Sequence, residues 1–146
     1  LTWDDENYYM VAYDAAAEQI KHYRVDKMTD ITMTDAPRVG AEAFDALDMG
    51  VYAKKVFGMF SGQERPVKLR VANHLVGAML DRFGKEISIV PDGDDHFTLL
   101  VNVIISPQFF GWTCAFGSDI EILEPASVQE QFLAHLDGIR AQYTSD

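Results

Sequence analysis

Val67-Lys68-Leu69-Arg70-Val71-Ala72 alternates apolar with charged residues, so that Val67, Leu69 and Val71 fall on one side of an extended chain. Successive side chains of a strand point to opposite faces, and the stretch therefore predicts a strand with one buried face. Beyond it, Leu75, Met79 and Phe83 stand at i, i+4 and i+8, and Gly84 follows where a helix stop belongs. Ile87-Ser88-Ile89 alternates again. Asp92-Gly93-Asp94-Asp95 reads as a turn into a longer strand, on which Phe97, Leu99, Val101, Val103 and Ile105 share a face. Ser106-Pro107 supplies a cap and a helix-compatible proline before the apolar run Phe109 to Phe116, with Gly117 in place for a left-handed residue. Ile120 and Ile122 mark a last strand, and Val128, Phe132, Leu136, Ile139 and Tyr143 trace one stripe of a terminal helix.

Residues 67 to 123 thus spell βαββαβ, the split βαβ order in which two helices cover one face of a four-stranded antiparallel sheet. The expectation is an α+β protein whose residues 65–146 form a ferredoxin-like domain with a C-terminal helix. The other sheet face is then available to a partner, and apolar residues pointing that way would favour a dimer.

Working backward, Asn7 to Tyr13 is aromatic, β-branched or small; the loop Asp14-Ala15-Ala16-Ala17-Glu18 leads to a second such run, Ile20 to Val25. The pair reads as a hairpin. Ile31-Thr32-Met33-Thr34 alternates as a third strand would, ended by Asp35 and Pro37. Residues 37–64 read as a linker. It is polar and Ala-rich from Arg38 to Leu47, then helical over about 48–60, with Asp48 as N-cap and Val51, Val56 and Phe60 at near-helical spacing. The segment from Ser61 to Pro66 breaks that helix and marks the domain boundary.

With 146 residues, 48% of them hydrophobic, the chain can build a core unaided. A net charge of −11 disfavours general duplex binding, because most of the surface repels phosphate. No run approaches the roughly 20 apolar residues that cross a bilayer, and the acidic start lacks a secretory pattern, so no membrane and a cytoplasmic location are expected. The first residue is Leu1, which predicts that the natural protein extends upstream. Cys114 is the one cysteine and sits in an apolar run, as a small packed hydrophobe does.

No catalytic set presents itself. His22, His74, His96 and His135 are scattered without ligand spacing, so neither a metal nor a cofactor is expected. Nucleophile elbow, phosphate-cradling loop and dinucleotide fingerprint are all missing, and the reading is that the chain is not an enzyme. Trp112, Phe109, Phe110 and Phe116 read as a core helix rather than a ligand pocket.

The densest local feature is Lys21-His22-Tyr23-Arg24-Val25-Asp26-Lys27, a basic cluster in an acidic chain. On a strand Arg24 and His22 share one face while Tyr23 and Lys21 share the other, so a cationic strip can form beside Tyr9. Such a strip suits a phosphate or carboxylate with a ring to stack on. It equally suits a solvated strand whose cations pair with Asp26, Asp30 and neighbouring acids.

Asn7-Tyr8-Tyr9-Met10-Val11-Ala12-Tyr13 resembles the segment that names the WYL domain, with Tyr8, Tyr9 and Met10 at the three naming positions. Ile20 to Met28 resembles the family's following motif; Arg24 and Asp26 match it, and Lys21 and Lys27 replace arginines. From about Arg65 to Tyr143 the chain resembles the WYL C-terminal extension (WCX), including Ser106-Pro107-Gln108-Phe109-Phe110-Gly111-Trp112 and Ile122-Leu123-Glu124-Pro125. The resemblance implies a bacterial regulator with an upstream domain that binds duplex DNA. It implies that residues 1–36 are the C-terminal part of an Sm-like β-barrel WYL domain, and that the extension is ferredoxin-like and serves in homodimer formation. On that basis Tyr9, His22, Arg24 and Lys27 are the expected contacts to an anionic effector, a nucleotide or single-stranded nucleic acid. The alternative is a dimerisation module with no complete ligand site.

Overall fold

The computed structural model describes residues 1–4, 6–46, 48, 50, 52, 55–57 and 62–144. It is a mixed α+β structure that divides into two compact units, Leu1–Ser61 and Gly62–Asp146, each with its own open antiparallel sheet.

The first unit carries β1 (Thr2–Asp4), β2 (Asn7–Asp14) and β3 (Gln19–Arg24) in that order across the sheet. The expected hairpin is β2–β3, in register from Tyr9 opposite Arg24 to Asp14 opposite Gln19. Asp14 Oδ1 closes its turn by accepting from the amides of Ala16 and Ala17, the side-chain-to-backbone bonding that makes Asp a turn former. The third strand is not where the sequence suggested. Residues 31 to 34 lie in irregular chain with every side chain exposed, because four alternating residues with no neighbouring ladder leave their backbone groups to water. The three-residue β1, pairing Thr2, Trp3 and Asp4 with Tyr9, Tyr8 and Asn7, takes that place. The result is an open sheet, not a barrel.

The stretch Arg38 to Leu47, expected as plain linker, contains a short helix α1 (Ala41–Asp45), entered through Gly40 at φ 78°. Most of the helix expected over 48–60, including Val51 and Phe60, lies outside the described residues. Within it, Tyr52 N donates to Asp48 O, Val56 N donates to Tyr52 O, and Asp48 Oδ1 accepts from Gly50 N at 2.9 Å, as a capping Asp would.

The second unit runs β4 (Gln63–Ala72), α2 (Val76–Phe83), β5 (Ile89–Asp92), β6 (His96–Ile105), α3 (Pro107–Cys114), β7 (Ile120–Glu124) and α4 (Ala126–Thr144). This is the expected βαββαβ order with a terminal helix. All strands are antiparallel, in sheet order β5-β6-β4-β7. Val67, Leu69, Val71, Leu99, Val103 and Ile122 are buried on one face; Lys68 and Arg70 alternate with them onto the other. Phe109, with no exposed surface, packs from α3, and Val128 from α4 closes the layer. Phe83 of α2 meets Trp112 edge-on at 5.6 Å. Ser106 Oγ accepts from Phe109 N at 3.2 Å with Pro107 next to it, the cap read from sequence.

Three details shift. The strand expected over Ile87–Ile89 begins at Ile89 and runs to the turn, because pairing continues from Ile89 opposite Leu99 to Asp92 opposite His96; Pro91 is tolerated on this edge strand. The helix expected over Phe109–Phe116 occupies Pro107–Cys114, and Gly117, left-handed at φ 59°, opens a 3-10 turn instead of ending the helix. The stripe of α4 sinks only at its start: Val128 is 1% exposed, Leu136 37%, Ile139 43% and Tyr143 84%.

Candidate functional site

The β2–β3 register decides which side chains meet. Tyr9 lies directly opposite Arg24, and Val11 opposite His22, so Tyr9, His22 and Arg24 share one face of the sheet. Lys27 is exposed in the 3-10 turn Val25–Lys27 that follows β3. Three of the four expected contacts therefore come together, and the fourth stands one turn beyond them.

Two of the four, Arg24 and His22, already hold a partner within the chain. Arg24 forks onto Asp26, Nε to Oδ1 at 3.0 Å and Nη2 to Oδ2 at 2.8 Å. That guanidinium holds the Asp26 carboxyl below its usual range, chiefly through the hydrogen bond and against some desolvation. His22 Nε2 lies 3.1 Å from Tyr52 Oη, with the two rings 5.6 Å apart. An anion arriving at this face would meet a guanidinium whose fork already engages a carboxylate.

The opposite face of the same sheet carries Trp3, Tyr8, Met10 and Tyr23, all exposed. On it Lys21 Nζ reaches Asp14 Oδ2 at 2.6 Å. At one end Trp3 and Tyr8 meet as a T-shaped pair with centroids 4.7 Å apart. They line a cavity of about 260 Å³ with Glu6, Asn7, Val25 and Asp26. Sequence reading passed over this pocket. Its signal is an aromatic at each end of Trp3-Asp4-Asp5-Glu6-Asn7-Tyr8, a spacing that a tight hairpin turns into direct opposition. In the second unit a cavity of about 450 Å³ lies beside the edge strand β7, between Ile120 and Ile122 and the α4 residues Gln129, Phe132 and Leu133.

Among the described residues no group of three His, Cys, Asp or Glu side chains could hold a metal ion, and no helix is long and apolar enough to cross a membrane. Phe109 and Phe110 are buried, so the aromatic run of α3 is core, as expected.

These features define a mixed α+β protein built of two antiparallel-sheet units. Comparison with protein families takes the assignment further: the WCX domain model matches residues 63–139, more than half of the chain, and the chain belongs to the WCX domain family. The resemblance of the second unit to the WYL C-terminal extension is thereby borne out. Among solved structures the chain is similar to proteasome accessory factor B/C (PafBC) of Arthrobacter aurescens, with 22% identity and a TM-score of 0.39. That alignment covers 97% of this chain and 21% of the other, so the chain spans about a fifth of that protein's length. Comparison with curated proteins returned no match.

Proposed function

We propose that this chain is the effector-responsive and copy-pairing C-terminal region of a DNA-binding transcription regulator, and that it has no enzymatic role. Membership of the WCX family supports a regulatory role for the second unit. For that unit the reading is a ferredoxin-like domain, supported by the strand order β5-β6-β4-β7 and the βαββαβ succession. For the first unit the reading is the later strands of an Sm-like WYL domain, supported by the consecutive antiparallel β1, β2 and β3. Duplex DNA would be bound by an upstream domain, in the cytoplasm, by a homodimer.

The observation that carries effector sensing is the register pair Tyr9–Arg24 with His22 on the same face. A ring beside a guanidinium can stack a base while the cation meets its phosphate. Lys27 adds a second, flexible charge. Binding acts on the regulator only if it favours one arrangement of the subunits over another, and the ligand's differential affinity sets the size of that shift.

A second reading, a pure assembly module, is favoured by the Arg24–Asp26 fork, which satisfies the guanidinium without a ligand. Exposed Leu136, Ile139 and Tyr143 on α4 and Leu100 on the sheet fit pairing of copies under either reading.

The test is a fluorescence-anisotropy titration with a short single-stranded DNA at two salt concentrations, run beside a sedimentation measurement. Binding that weakens with salt and is lost in Arg24→Ala, with the melting temperature held within a few degrees, supports the sensor. A dimer that binds nothing at either salt leaves the assembly module. Equal binding by Arg24→Ala removes that residue from the site.

A further inference from the structure

We infer that the cavity beside Trp3 and Tyr8 binds a small organic cation, such as a methylated ammonium or a guanidinium. This site differs from the cationic strip above: its two rings stand on the other face of the sheet, and its ligand carries the opposite charge.

Trp3 and Tyr8 are direct partners in the β1–β2 register, and their rings stand at 70° to one another. Two rings at that angle enclose a corner bounded by π-electron density, and a cation seated within about 6 Å of a ring centroid is attracted by the ring quadrupole. Both rings are more than half exposed, Trp3 58% and Tyr8 57%, although side chains of this size normally hide most of their surface. A bound ligand would cover what the fold leaves open.

Charge selects the class of ligand. The cavity is lined by two carboxylates, Glu6 and Asp26, and by no basic side chain. Asp26 is held ionised by Arg24; among the described residues Glu6 forms no ion pair. The Arg24 fork compensates much of the Asp26 charge, so Glu6 sets the sign: an anion would meet that carboxylate, whereas a cation gains from it and from the rings together. Size narrows it further, because about 260 Å³ falls below the roughly 300–1,000 Å³ of pockets for drug-sized ligands.

The experiment uses the whole chain with choline and methylguanidine as probes and 3,3-dimethyl-1-butanol, the uncharged shape-mimic of choline, as control. Binding is read by calorimetry and by tryptophan emission. At least one cation should bind saturably and perturb the emission, and choline should exceed its uncharged mimic by about tenfold, the scale of one cation–π contact with partial desolvation. Glu6→Gln, a near-isosteric change at an exposed position, should weaken binding several-fold, and Trp3→Ala should remove it. The inference is overturned if neither cation binds, if the mimic binds as well as choline, or if binding persists unchanged in Glu6→Gln and Trp3→Ala. Unchanged circular dichroism of the variants separates loss of the site from loss of the fold.

Discussion

Lys21 Nζ lies 2.6 Å from Asp14 Oδ2, joining β3 to β2 beside the hairpin turn. The same carboxylate caps the turn through Oδ1 and accepts from Tyr23 Oη through Oδ2, so four donors converge on one side chain. The Lys21 hydrogen bond is the largest of the effects that lower the Asp14 pKa from 3.8 to about 2. A depressed carboxyl contributes stability that is present above its unfolded pKa and is lost as pH falls through the folded one. The loss therefore falls between about 4 and about 2. Thermal melts across that window should show the hairpin unit weakening, and Asp14→Asn should flatten the dependence while lowering stability near neutrality. A wild-type profile that is level between pH 4 and 2 would refute the assignment.

Phe109 and Tyr143 are both aromatic members of apparently apolar helices, yet one is fully buried and the other 84% exposed. Phe109→Ala opens a cavity among Phe110, Trp112 and the sheet and should cost about 3–5 kcal/mol. Tyr143→Ala should change folding stability by less than about 0.5 kcal/mol, as surface substitutions do. Denaturant midpoints at low protein concentration, where copies do not pair, give the comparison.

That contrast shows how far the sequence speaks. Alternation at Val67, Leu69 and Val71 and again at Leu99, Val101 and Val103 is read without ambiguity, because each strand is long and one of its faces is entirely buried. Ser106-Pro107 is equally plain, since a capping hydroxyl acts within its own helix turn. Ile31-Thr32-Met33-Thr34 misleads for the converse reason: the pattern is local, but a strand exists only where a neighbour supplies the ladder. Periodicity on α4 reveals an apolar stripe and not what covers it, so Leu136 and Tyr143 look like core from spacing alone. Tyr9, His22 and Arg24 could be placed on one face by parity. The Arg24–Asp26 fork and the Trp3–Tyr8 corner depend on a turn and on pairing across strands, which composition does not encode.

Gly62 precedes β4, and a Cβ there would collide with the backbone carbonyl oxygen of Ile105. A backbone atom inside a ladder cannot swing aside as a flexible side chain can. Gly62→Ala should therefore disturb the terminal pair Gln63–Ile105 and destabilise the second unit by about 1–3 kcal/mol. Gly77, whose added Cβ would meet nothing within 4 Å, provides the control, because Gly77→Ala on α2 should stabilise by up to about 1 kcal/mol. Equal effects at the two positions would contradict the packing described at β4.

Asp26 stands between the two proposed sites, forked by Arg24 on one side and lining the Trp3–Tyr8 cavity on the other. Its substitution should thus move two affinities in opposite directions. Asp26→Asn keeps the shape but removes a carboxylate that competes with phosphate for Arg24; single-stranded DNA should bind several-fold more tightly, with a steeper salt dependence. The same change strips one of two carboxylates from the cavity, and choline should bind several-fold more weakly. A general loss of structure would weaken both ligands together, and a residue remote from both sites would move neither. Parallel titrations of one protein preparation with the two probes distinguish these cases. Opposite shifts would place Asp26 as the shared wall, whereas tighter DNA binding with unaltered choline binding would keep the anion site and remove Asp26 from the cation site.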